Sequence, residues 1–155
     1  MPAAEWAFWM SDERMNAAPE AARGGFQNAR RVFAPIAQNV RRFESGEVAP
    51  GITAVPSFGH TPGHTTFVVA SGNARMIFVA DITNQPALFA RNPDWAAVFD
   101  SDAEMATATR RRILDMAASE RLQLSFYHAP FPATGYVARA GNGFDYVPVQ
   151  WSSAL

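Results

Sequence analysis

The chain has three histidines, and two of them share one short segment, Gly59-His60-Thr61-Pro62-Gly63-His64-Thr65. The third, His128, closes the apolar run Leu122 to Tyr127, and Asp81 closes another, Arg75 to Ala80. Imidazole and carboxylate are the donors that borderline divalent metals such as zinc prefer. A ligating histidine also needs a rigid support that engages one ring nitrogen and presents the other. His60, Asp81 and His128 each stand just beyond a segment that reads as a β-strand, and strand ends are where reacting groups collect in open α/β sheets. The pattern points to metal-assisted chemistry. With no cysteine, thiolate ligands are excluded, and a centre needing more than three imidazoles is incomplete within these residues.

The elements that must position these groups follow from periodicity and punctuation. Residues 3–10 read as a short helix that holds Trp6, Phe8 and Trp9. Such an aromatic cluster must pack on something, either the chain's own core or a partner segment. From Pro19 to about Phe43, apolar Phe26, Ala29, Phe33, Ile36, Ala37 and Val40 recur at helical spacing, with Pro35 expected to kink or split the helix. Arg23, Arg30, Arg31, Arg41 and Arg42 are expected on its solvated face. From Gly51 the period shortens. Strands are expected over 52–57, 65–70 and 75–80, the last two joined as a hairpin by Ser71-Gly72-Asn73. Residues 82–95, with Pro86 and Pro93, read as a long loop. Ser101 or Asp102 can cap a helix over 103–119 with Met105, Ile113 and Met116 buried. Asp94, Asp100 and Asp102 read as makers of loop and cap hydrogen bonds. A strand over 122–126 precedes a hairpin around Gly141-Asn142-Gly143.

Composition sets the outer bounds. A chain of 155 residues with 48% hydrophobic and 17% charged residues suits one folded domain, and the expectation is a single, partial domain over 1–155. A net charge of -1 offers no electrostatic ground for nucleic acid or an anionic membrane as partner. No run spans a bilayer, and no signal peptide is visible, so the default location is cytoplasmic.

The histidine segment, the strand pair, Ala80-Asp81, a helix and Tyr127-His128 together resemble the second half of the metallo-β-lactamase fold superfamily. Pro50-Gly51-Ile52, Phe89-Ala90-Arg91, Asp100-Ser101-Asp102, His128-Ala129-Pro130-Phe131-Pro132 and Tyr146-Val147-Pro148-Val149 are similar, in order, to the branch containing methyl parathion hydrolase and lactonases. The resemblance implies an α/β fold: half of an αββα sandwich, one mixed sheet with helices on one face. It implies a metal-dependent hydrolase that cleaves esters, lactones or phosphotriesters by metal-bound hydroxide, with a small-molecule substrate. By position, His60 would ligate the first metal, His128 the second, and Asp81 would bridge them as the catalytic carboxylate. His64 would lie behind, orienting the loop, and Trp9 and Phe26 would line the substrate pocket. The family's His-x-His-x-Asp-His motif does not occur in these residues, and Ala80 stands where the family has glycine. The expectation is therefore a truncated hydrolase, weak alone, holding at most one loosely bound zinc or other divalent ion. Its apolar face would be covered in a homo-oligomer, or by the missing N-terminal half supplied in trans. The alternative is a silent, self-associating remnant with no metal centre.

Overall fold

Aromatic side chains organise residues 1–44. The structure is a computed structural model that describes residues 1–152. The chain divides into two compact units, Met1–Glu44 and Ser45–Leu155. In the first, α1 (Ala3–Trp9), α2 (Asp12–Ala17) and α3 (Glu20–Phe33) lead into a 3₁₀ helix, Ala34–Asn39. Phe26 is 3% exposed, with the rings of Trp9 and Phe8 at 4.9 and 5.0 Å. Backbone bonds from Ala3 N to Phe43 O and from Phe43 N to Met1 O join the two ends of this unit. The aromatics near the start thus pack on the chain's own α3.

Two expectations need correction here. The apolar stripe does not stay buried through Val40: Ile36 is exposed, and Phe26 is the buried residue of α3. Pro35 sits in the first turn of the 3₁₀ segment, where three residues per turn replace 3.6 and the stripe rotates out of line. Nor is Arg30 only solvated, because its guanidinium donates to Asp12 Oδ1 at 2.6 Å and Met10 O at 3.2 Å. Helix α2 was not visible as a periodic segment, but Ser11 caps it by accepting from Arg14 N.

The second unit is built on one sheet of seven strands in sequence order. These are β1 (Gly46–Ala49), β2 (Ile52–Pro56), β3 (Thr65–Ser71), β4 (Ala74–Ala80), β5 (Gln123–Phe126), β6 (Thr134–Ala140) and β7 (Gly143–Pro148). Neighbours run antiparallel except β4 and β5, which are parallel. A parallel pair needs a crossover. Here it holds α4 (Pro86–Phe89), a short helix within the expected loop, and α5 (Ala103–Glu120). Ile77, Val79, Leu124, Phe126 and Val137 share a core with Ile113, Leu114 and Ala117 of α5. Asp102 Oδ1 caps α5 by accepting from Met105 N, and Arg121 ends it at φ 52°, with Leu122 N donating back to Ala117 O. Met105, expected inside, is exposed. Ala106 takes the inner position instead, close beneath Gly59.

Strand direction decides where the chemistry collects. β2 and β4 are each antiparallel to β3, and β5 is parallel to β4, so all three point the same way. Their C-terminal ends form one rim, and His60, Asp81 and His128 follow them. Behind that rim lies Arg110, 1% exposed. Its Nε donates to Ile82 O at 2.6 Å, and its Nη1 to Pro93 O at 2.8 Å and Trp95 O at 2.6 Å. Its guanidinium also lies 4.9 Å from the Phe89 ring centroid. Burial pulls the Arg110 pKa below its ordinary value, while Asp100 and then Asp94 act in the opposite sense. Replacing Arg110 by Met strands three carbonyls, those of Ile82 and Pro93 in buried bonds, and leaves Asp100 without its cation. Urea denaturation of Arg110→Met should show a loss of about 3–5 kcal/mol. A loss below about 1 kcal/mol, the usual worth of one ordinary hydrogen bond, would contradict this role.

Candidate functional site

The connection between β2 and β3 runs along the rim and is pinned at both ends. Ser57 N donates to His64 O, and the Ser57 and Thr66 hydroxyls meet at 3.1 Å. Gly59 has φ 128° and presses on the first turn of α5, where a Cβ would come 2.2 Å from Ala106 N. Only a residue without a side chain fits there. Two bonds then lock this loop to the helix start: Ser101 N to His60 O and Asp102 N to Gly59 O.

His64 is buried and uses both ring nitrogens. Nδ1 lies 2.9 Å from Ser57 O, and Nε2 accepts from Asp81 N at 3.1 Å. The carbonyl can only accept and the amide can only donate, so the proton belongs on Nδ1. With both nitrogens engaged, His64 ties the loop to the backbone of Asp81.

Asp81 follows Ala80, which adopts a left-handed φ of 49° where the β4–β5 register shifts. This kink turns the chain out of the sheet and brings the Asp81 amide to His64. The Asp81 carboxylate meets His128 Nε2 at 2.8 Å. His60 Nδ1 lies 3.0 Å from Oδ1 of Asp100, whose side chain is 2% exposed. The other Asp100 oxygen accepts from Ala97 N at 2.9 Å and stands 3.8 Å from Arg110 Nη2. His60, Asp81, His128, Asn84, Phe99 and Asp100 contribute to the wall of one cavity of about 360 Å³.

Two imidazoles and a carboxylate on one cavity fit a divalent ion in kind. Among the described residues, however, no three His, Asp or Glu side chains are gathered into a group that could hold one as they stand. The donors instead form two separate pairs, His60 with Asp100 and His128 with Asp81. Trp9 and Phe26 pack on each other within the first unit. Of the three aspartates expected in loops and caps, Asp102 caps α5, Asp94 pairs with Arg111, and Asp100 both closes a loop and reaches His60.

A family model of the metallo-beta-lactamase superfamily matches residues 1–122. The chain belongs to that superfamily. Two solved structures align with nearly all of it. AidC, a dizinc quorum-quenching lactonase in complex with a homoserine product, is 23% identical with a TM-score of 0.89, covering 99% of this chain and 55% of that one. The hydrolase AbOPH of the beta lactamase superfamily is 21% identical with a TM-score of 0.87, covering 98% of this chain and 55% of that one. The chain therefore spans about half the length of these two relatives, and at such identities the likeness is one of fold. Comparison with curated proteins finds no match. The mixed α/β sheet is the fold that the histidine segment implied for a member of the metallo-β-lactamase superfamily.

Arg110 and the cavity role of Asp100 escaped the sequence reading. For Arg110 a signal was present: it falls on the same helical stripe as Ala106, Ile113, Leu114 and Ala117, where a solvated arginine has no place. The left-handed Ala80 generates a prediction of its own. An alanine held there costs about 1 kcal/mol, partly offset in a glycine variant by the entropy of its unfolded chain. Ala80→Gly should raise stability by about 0.5 kcal/mol, whereas the β-branched Ala80→Val should lower it by more than about 1 kcal/mol. Urea midpoints that fall for Ala80→Gly would contradict the assignment of strain to this position.

Proposed function

We propose that these residues contribute one side of a metal-dependent hydrolase site, acting on esters, lactones or phosphotriesters in the branch that contains methyl parathion hydrolase and lactonases. One observation carries the reading: His60, Asp81 and His128 follow three strands that end at one rim, and all three line one cavity. The two relatives named above, a dizinc lactonase and a hydrolase, support the class. A divalent ion bound there supplies Lewis-acid polarisation and a water acidified toward neutral pH. The chain's own residues do the positioning. His60 offers Nε2, Asp81 offers a carboxylate able to bridge, and His128 must exchange its bond to Asp81 for a bond to the ion. The remaining donors of a dinuclear site lie outside the three histidines present.

In this reading the chain alone holds at most one divalent ion, loosely, and hydrolyses substrate weakly. Zinc titration by calorimetry should give a binding heat that His60→Ala and His128→Ala each remove. His64→Gln, which keeps one donor and one acceptor, should retain it. Hydrolysis of a p-nitrophenyl ester or paraoxon should stay near background, with any excess abolished by chelator. No heat in the parent, or equal loss in all three variants, would sink the reading.

A specific observation favours a second reading, a self-associating chain without a metal centre. On the sheet face opposite α5, Phe78, Tyr136 and Val147 are 38%, 42% and 51% exposed. Tyr136 and Val147 lie on adjacent strands, with Phe78 on β4 beyond β5, and a second copy would cover them. Sedimentation velocity at micromolar concentration should then show a dimer or larger species. A monomer that binds no apolar dye would overturn this reading.

A further inference from the structure

We infer that Asp100 is a positioning residue of this site: it fixes His60 as the Nδ1–H tautomer and keeps Nε2 unprotonated toward the cavity. The inference rests on the proposed role of His60 as a donor through Nε2. Three contacts carry it. Asp100 Oδ1 lies 3.0 Å from His60 Nδ1, and a carboxylate can only accept there, so the ring proton sits on Nδ1. Oδ2 accepts from Ala97 N at 2.9 Å and faces the buried Arg110 cation at 3.8 Å. These contacts set the carboxylate in one orientation and supply its counter-charge. The side chain is 2% exposed, so water does not compete for either oxygen. A histidine backed by a carboxylate in this way has its ring plane and its free nitrogen decided before any ligand arrives.

The same contacts say what a conservative change does. In Asp100→Asn, the amide has one oxygen, and Ala97 N–H with Arg110 claims it. The amide NH₂ is then left facing His60 Nδ1, which must accept, and the ring proton moves to Nε2. The shape of the side chain is preserved while the tautomer inverts.

Long-range ¹H–¹⁵N correlation spectra of the imidazole rings in the metal-free chain test this, at a pH where the rings are neutral. In the parent, His60 should show a protonated Nδ1 and a bare Nε2, and in Asp100→Asn the two should exchange. Zinc titration should then show affinity in Asp100→Asn weakened by roughly tenfold or more. A parent His60 with its proton on Nε2, or a folded Asp100→Asn with the parent tautomer, would overturn the inference. If Asp100→Asn does not fold, the parent spectrum decides alone. A parent that binds no zinc refutes the proposed function but leaves the tautomer result standing, so the two failures are told apart.

Discussion

One buried guanidinium holds the working end of the second unit together. Arg110 reaches out of the core stripe of α5 and donates to the carbonyls of Ile82, Pro93 and Trp95. A buried cation is costly unless its hydrogen bonds are made, and here it also faces the Asp100 carboxylate and a phenyl ring. The segment after β4 has little regular structure of its own, so these bonds give it a fixed path. Along that path stand Ala97 and Asp100, and through Asp100 the order reaches His60.

The rim is the second constraint. Three strands that point the same way deliver three polar residues to one edge, and His64 ties two of the loops by accepting from one backbone and facing the carbonyl of another. Each of the two cavity histidines is matched with its own carboxylate. The difference between the pairs is burial: Asp100 is enclosed, whereas His128 is 52% exposed beside Asp81. The enclosed pair is built to stay as it is, and the open pair is free to exchange partners.

Much of this was legible in the sequence, for physical reasons. Leu122 to Phe126 alternates as a half-buried strand should, the hairpins are marked by Gly and Asn, and α5 announces its start with Asp102. His60, Asp81 and His128 stood out because each lies just beyond a segment that reads as a strand, and the structure brings all three to one cavity. What was hidden depends on contacts distant in sequence. Arg110 lies within Arg110-Arg111-Arg112, where composition suggests solvent; its helical stripe places it inside, but its three distant carbonyl partners cannot be read from spacing. Asp100 sits 40 positions from His60, and no spacing rule joins them. In the first unit, a change of helical pitch at Pro35 undid a stripe that looked regular on paper.

The cavity wall after β4 is anchored through main-chain carbonyls, and every residue type has one. Nothing in that anchorage reads the side chains of Asn84, Ala97 or Phe99, which form part of the wall. Sequence drift at these positions can therefore reshape what the cavity admits while the backbone that frames it keeps its course. The lining of the cavity and the integrity of its frame become separable properties, open to change one at a time.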